Sequence, residues 1–146
     1  MVPKIQFFSE GIDFRVKRKE DIRIWIKNLV KEERKFLKSI NFIFCEDDYL
    51  LHLNHIYLSK DYYTDVIAFP ADDNSRFVSG DVFISIERVR ENALKYRQKA
   101  EHELLRVIAH GILHLAGYSD STEKDRNTMK SKEEYYLAKI KKTGKQ

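Results

Sequence analysis

Residues 110–120 read HGILHLAGYSD, and the interpretation of the whole chain depends on this stretch. His110 and His114 lie four positions apart in an apolar run, a spacing that places both imidazoles on one face of a helix. Gly117 favours the end of that helix, because glycine readily adopts the left-handed conformation after a last turn. Asp120 follows in the predicted turn. The pattern therefore predicts a largely buried helix followed by a turn that brings a carboxylate back towards two histidines.

These three side chains predict a metal site, with His110 and His114 as nitrogen ligands and Asp120 as an oxygen ligand. Three protein ligands leave one coordination position open to water, which is typical of catalytic rather than structural sites. The alternative interpretation is an ordinary pair of buried histidines, since this spacing also occurs by chance on helices. Gly111 costs a helix about 1 kcal/mol relative to alanine, and its presence indicates that something packs closely against the helix backbone there.

Zinc is the metal that we expect, because histidine and aspartate are both good zinc ligands. Two histidines and one carboxylate also suit non-haem iron, so iron or another transition metal stays open. The site differs from that of the common zinc peptidases, whose His-Glu-x-x-His motif contains a glutamate as general base. Gly111 occupies the glutamate position here, and the sequence identifies no general base in its place.

The pattern His-Gly-x-Leu-His-Leu-x-Gly-Tyr resembles the signature of the YbeY family, bacterial metal-dependent endoribonucleases of ribosomal RNA maturation. Further segments resemble that family in the same order along the chain. They are Leu53-Asn54, residues 61–69 (DYYTDVIAF), residues 80–85 (GDVFIS), Glu103, and Met129 with Glu133. The resemblance therefore extends over about residues 53–133 and depends on several separate motifs.

This resemblance implies an endoribonuclease that cleaves single-stranded RNA, with ribosomal RNA as substrate. It implies a role at the 3′ end of 16S ribosomal RNA and in ribosome quality control, and the small ribosomal subunit as a partner. Two other classes of function stay open at this point. One is a different metal-dependent hydrolase, such as a peptidase or amidohydrolase, and the other is a non-catalytic ribosome-associated factor whose metal is structural.

The chain departs from the family pattern at two positions. Relatives usually end the motif with a histidine as third ligand, whereas Asp120 stands in that place here. Many relatives carry an arginine just after the aromatic residue that corresponds to Tyr57, whereas this chain has Leu58. A phosphate contact by that arginine therefore cannot be transferred to this chain.

Three further side chains are candidates for substrate binding. Thr64 and Asp65 begin a predicted strand that the resemblance places beside the cleft, although such a pair also commonly forms a turn at a strand start. Arg106 lies one turn before the first histidine on the same helix face. It could contact a phosphate, or it could form an ion pair with Glu103 or His102.

Composition indicates one soluble domain over residues 1–146, with 42% hydrophobic and 34% charged residues. No apolar run approaches the roughly 20 residues of a membrane span, so we expect no membrane association. A single cysteine fits a reducing cytoplasm. Residues 121–146 hold seven lysines and one arginine against four acids, which accounts for the whole net charge of +4. That segment could bind a phosphate backbone or form a solvated helix face with a lysine tail.

Hydrophobic periodicity predicts an α+β fold in which about four strands form a small mixed sheet packed with about five helices. The strands are predicted over residues 5–8, 41–45, 65–69 and 77–84, and the helices over about residues 19–34, 47–58, 86–98, 101–116 and 125–140. The opening strand–helix–strand order predicts parallel pairing, and the short polar segment at residues 70–75 predicts an antiparallel hairpin. The resemblance implies that the metal-binding helix lines a cleft.

Overall fold

The computed structural model of this chain describes residues 2–140. Within that range it contains four strands and five helices, in agreement with the predicted α+β class. In chain order they are β1 (Lys4–Ser9), α1 (Lys19–Glu32), β2 (Phe36–Cys45), α2 (Asp47–Leu58), β3 (Val66–Pro70), β4 (Phe77–Ser85), α3 (Ile86–Lys95), α4 (Ala100–Leu115) and α5 (Glu123–Leu137).

The four strands form one mixed sheet in the order β1-β2-β4-β3. Strands β1, β2 and β4 are parallel to one another. Strand β3 pairs antiparallel with β4 at the edge of the sheet, from Val66 opposite Ile84 to Pro70 opposite Gly80. Both predicted pairings are therefore confirmed. Helix α4 packs across β4 and the edge strand β3, which places the end of the sheet order nearest the site beside this helix.

Several boundaries differ from those predicted. Strand β2 begins at Phe36, because Phe36 and Leu37 pair with the first residues of β4 before a register shift. Ser85 caps α3, since its hydroxyl accepts a hydrogen bond from the Arg88 N–H at 3.1 Å. Helix α3 ends at Lys95, earlier than expected. Helix α5 begins at Glu123 because the Thr122 hydroxyl satisfies a backbone N–H of its first turn.

Helix α4 lies at the centre of the molecule, where it contacts β3, β4, α1, α3 and α5. Gly111 faces Val82 of β4, and a Cβ added at Gly111 would lie 2.6 Å from the Val82 Cγ1 atom. The predicted close approach at this glycine is therefore confirmed. This close contact lets α4 pack tightly against the sheet, and the face of α4 that carries the histidines lies beside β3. Within residues 2–140, no helix is both long and apolar enough to span a lipid bilayer.

Candidate metal centre

Helix α4 carries His110 and His114 on one face, as their spacing predicts, and their ring centroids lie 4.5 Å apart. The two Nε2 atoms are separated by 3.0 Å. The Oδ2 atom of Asp120 lies 3.4 Å from the Nε2 atom of His110 and 3.3 Å from that of His114. The structure therefore brings the three predicted ligands together, with their ligand atoms all within 4.8 Å of one another.

The turn that returns Asp120 to the helix depends on Gly117, whose φ of 104° lies in the region that favours glycine. This conformation lets the Gly117 and Tyr118 N–H groups bond the carbonyls of the last helical turn. The same turn directs the Tyr118 carbonyl at the Nδ1 atom of His114, at 2.9 Å. One short segment therefore positions the carboxylate and also holds one imidazole.

Both imidazoles are oriented through their Nδ1 atoms. His110 Nδ1 lies 2.5 Å from a carboxylate oxygen of Glu133 on α5, and His114 Nδ1 faces the Tyr118 carbonyl. A carboxylate and a carbonyl can only accept hydrogen bonds, so in each neutral ring Nδ1 carries the proton and Nε2 presents a lone pair. This is the arrangement in which a ligating histidine donates its other N–H to an oxygen.

With these tautomers, three acceptor atoms converge and no proton lies between them. Two imidazole lone pairs and one carboxylate at this separation repel one another unless a cation or a proton joins them. Burial lowers the pKa of His114, and the neighbouring His110 charge lowers it further, which opposes the proton. The donor set therefore fits a divalent transition metal, and nitrogen with carboxylate oxygen suits zinc or iron.

A cluster of charged side chains lies directly behind the histidines. Arg106 contacts Glu103 on its own helix, Glu133 on α5 at 3.0 Å, and Asp65 before β3 at 3.3 Å. Glu103 and Glu133 are only 2% and 4% exposed, so their charges need this partner. Burial acts to lower the pKa of Arg106, but the Glu103 hydrogen bond and the charges of Glu133 and Glu103 outweigh it and raise the pKa.

The candidates for substrate binding separate into two groups. Thr64 and Asp65 line an open cleft of about 440 Å³ together with the two histidines and Asp120. The guanidinium of Arg106 is instead engaged by three carboxylates, which favours the ion pair over the phosphate contact. Burial raises the pKa of Asp65, against the opposing charges of Arg106 and His110.

Sequence reasoning missed the orienting role of Glu133 and the place of Lys60 in the cleft. Glu133 was visible only as one of the motif positions, yet it lies between Met129 and Tyr136 on the buried face of α5. An acid inside such an apolar stripe is a signal of a buried partner. Lys60 is the only lysine or arginine among the described residues that line the cleft, and nothing in the motif spacing pointed to it.

The basic segment 121–146 is only partly described, because residues 141–146 lie outside the described residues. In the described part, Lys132 forms an ion pair with Glu33 at 3.0 Å. Arg126 bonds the carbonyls of Asp120 and Ser121. Some of the positive charge therefore stabilises the fold, and RNA binding by this segment stays a prediction.

Comparison with known proteins decides the family. The model of a family described as "Endoribonuclease YbeY" matches residues 6–141 of this chain. The chain belongs to the YbeY family. This membership agrees with the motif resemblance, and the matched region includes every candidate ligand.

Several curated relatives are named Endoribonuclease YbeY. The protein from Cytophaga hutchinsonii is 41% identical over 92% of this chain and 94% of the relative. The protein from Christiangramia forsetii is 44% identical over 92% of this chain and 93% of the relative. Another from Karelsulcia muelleri is 48% identical over 81% of this chain and 83% of the relative. The solution structure of a Thermotoga maritima protein matches with a TM-score of 0.63 and 28% identity, over 97% of this chain and 99% of that one. The YbeY fold therefore extends over nearly the whole chain.

Proposed function

We propose that this protein is a metal-dependent endoribonuclease that hydrolyses single-stranded RNA, with His110, His114 and Asp120 as the ligands of one divalent ion. The observation that carries the proposal is the convergence of three acceptor atoms, with no donor between them, at the wall of an open cleft. Membership of a family whose members are named endoribonucleases supports the reaction type.

Zinc is the metal that we propose. A divalent ion bound there would supply Lewis acidity that stabilises negative charge developing on a scissile phosphate. The chain's own residues prepare the site for it: Glu133 and the Tyr118 carbonyl hold the two imidazole tautomers. Thr64 and Asp65, which line the same cleft, are the proposed contacts for the substrate near the reacting bond.

We infer that the natural substrate is ribosomal RNA and that the processed site is the 3′ end of 16S ribosomal RNA, with a part in ribosome quality control. The motif resemblance supports this choice, and it makes the small ribosomal subunit the proposed partner. A cytoplasmic location follows from such a substrate. The continuous core, in which α4 contacts elements from both ends of the described chain, supports a single domain over residues 1–146.

A peptidase or amidohydrolase is the less favoured alternative. The helix position that holds a glutamate in the common zinc peptidases is Gly111, packed against Val82 with no room for a side chain. A non-catalytic role with a structural metal is disfavoured because the three candidate ligands face an open cleft rather than a closed shell.

The test is cleavage of a labelled single-stranded RNA by the purified protein, alongside the same RNA in a duplex and a casein substrate. We expect cleavage of the single strand alone, its loss on chelation, and its return with added zinc. His110→Ala and His114→Ala should each lose the metal by elemental analysis and lose cleavage as well. Full metal occupancy in both variants, or hydrolysis of casein but not RNA, would refute the proposal.

A further inference from the structure

The segment between α2 and β3 forms one wall of the cleft and contributes Lys60 and Tyr62 to its lining. We propose that Lys60 and Tyr62 form a subsite for one nucleotide of single-stranded RNA, and that Asn54 is the residue that positions them. The Lys60 ammonium binds a phosphate beside the metal centre, and the Tyr62 ring stacks on the neighbouring base. This inference rests on the proposed function and names the substrate contacts of the same cleft.

Among the residues that the structure describes, Lys60 is the cation available to a phosphate in this cleft. Its ammonium lies 5.8 Å from the centroid of the Tyr62 ring, and its side chain forms no ion pair with an acid of the described chain. Arg106 is engaged by three carboxylates behind the histidines. A lysine is a mobile point charge, which suits contact with a flexible phosphate backbone.

Tyr62 is the tyrosine of this segment whose ring is free to stack. Tyr63 donates a hydrogen bond to Asp48 and lies under the guanidinium of Arg88, at 5.3 Å. Tyr57, in the last turn of α2, packs edge-on against Phe69, at 5.7 Å between centroids. Tyr62 is 55% exposed, and among the described residues only Lys60 contacts its ring through a cation–π interaction. A half-exposed ring on a cleft wall can accept any base, because every base has a π face.

Asn54 fixes this segment at two points. Its side chain is only 1% exposed, and its Nδ2 atom donates to the Tyr62 carbonyl at 2.9 Å. Its own carbonyl accepts from the Lys60 N–H at 3.1 Å. Ser59, the residue that follows α2 and precedes Lys60, adopts φ 55°, and this conformation reverses the chain at the end of α2. The buried side-chain amide of Asn54 therefore holds the backbone at Tyr62, and the main-chain carbonyl of Asn54 holds the backbone at Lys60.

The test uses cleavage kinetics of the metal-loaded protein on a fluorescent single-stranded RNA of about ten nucleotides, within the usual site size. Lys60→Gln should raise KM and reduce the slope of log KM against log salt by about 0.7, the loss of one phosphate contact on a single strand. Tyr62→Ala should raise KM by about 5- to 150-fold, whereas Tyr62→Phe keeps the ring and stays within about twofold. Because these contacts bind the substrate rather than the transition state alone, kcat should change little.

A matched control pair lies at the end of α3, outside the residues that line the cleft. Lys95 and Tyr96 form a similar exposed pair at the end of α3, with the ammonium 5.3 Å from the ring, and neither lines the cleft. Lys95→Gln and Tyr96→Ala should leave KM and its salt dependence unchanged. Equal effects of the two pairs would overturn the subsite and leave the endoribonuclease proposal intact. If the parent protein cleaves no single-stranded RNA, both proposals are wrong.

The role of Asn54 needs a readout that a loss of stability would not produce. Asn54→Ala should raise KM with little change in kcat, and its effect should not add to that of a Lys60→Gln/Tyr62→Ala double variant, because the contacts that it positions are already gone. Thermal unfolding of each variant verifies that the folded protein is compared. Full additivity of the KM effects would show that Asn54 acts elsewhere.

Discussion

Replacing Gly111 with alanine tests whether α4 is seated against the sheet as closely as the structure indicates. The new Cβ would lie 2.6 Å from the Val82 Cγ1 atom and 3.4 Å from its Cγ2 atom. Restoring an ordinary contact of about 3.6 Å requires a shift of roughly 1 Å. Val82 is fully buried, and its branched side chain is stiff at χ1. Helix α4 must therefore move away from β4.

Two opposing effects set the size of the change. Alanine favours the helix by about 1 kcal/mol relative to glycine, whereas an extra methyl group in filled space costs about 1–3 kcal/mol. With no flexible neighbour to yield, we take the upper end of that cost, which leaves a net destabilisation of about 2 kcal/mol. For a protein of this size the Tm should fall by about 4–8 °C.

The measurement is thermal unfolding of the parent, Gly111→Ala, Val82→Ala and the double variant. Val82→Ala removes the two methyl groups that the new Cβ meets, so the double variant should be more stable than the sum of the single effects by about 1–3 kcal/mol. A Gly111→Ala protein as stable as the parent, or strictly additive effects, would refute the close contact and the reason for glycine at this position.

Four further outcomes are expected. Asp120→His should retain the metal and Asp120→Ala should bind it far less tightly, as measured by competition with a chromophoric chelator; equal affinity in Asp120→Ala and the parent would place the third ligand elsewhere. Glu133→Gln removes the carboxylate that holds His110, and metal affinity should fall by about 10- to 100-fold in the same assay; an unchanged affinity would show that this carboxylate does not orient the ligand. Burial raises the pKa of the Cys45 thiol to about 12, so a thiol reagent should modify native protein slowly at neutral pH and unfolded protein fast; rapid labelling of the native state would contradict its burial. Burial opposes ionisation of Glu33, but hydrogen bonds from two tyrosines and Lys132 lower its pKa below 4.5. The Glu33 carboxylate therefore stabilises the fold above its unfolded pKa, and this contribution is lost as the pH falls through its folded pKa. The difference in unfolding free energy between the parent and Glu33→Gln should shrink between about pH 6 and pH 3, and it would stay constant if the carboxylate were unperturbed.

The sequence was sufficient for the part of the site that lies within one helix and the turn after it. His110, His114 and Gly117 are related by helical geometry and cap chemistry, which act over a few residues. The antiparallel pairing of β3 and β4 was equally local, because a short polar connection leaves few other arrangements. These features follow from spacing alone, and the structure agrees with each of them.

Other features of the fold and of the cleft could not be predicted from the sequence, because they depend on contacts that leave no pattern in it. The first half of β2 was missed because Lys38 and Ser39 interrupt the apolar pattern there and leave no clear apolar face. What makes it a strand is its pairing with β4, from Phe36 opposite Phe77. Lys60 was missed because its place in the cleft depends on the turn after α2, where its N–H bonds the carbonyl of Asn54, six residues earlier. Neither relation leaves a periodic signal in the sequence.

The charges behind the histidines give an independent reason to expect a cation in this cleft. Three carboxylates, from Glu103, Glu133 and Asp65, share the single guanidinium of Arg106. Although burial raises the pKa of Asp65, the acids of this largely buried cluster outnumber its one guanidinium, and charges there are weakly screened. His110 connects it to the cleft, because Glu133 bonds its Nδ1 atom while its Nε2 atom faces Asp120. A divalent ion at Nε2 would balance that charge through the imidazole, so the same acids that orient the ligand also favour the metal that we propose it binds.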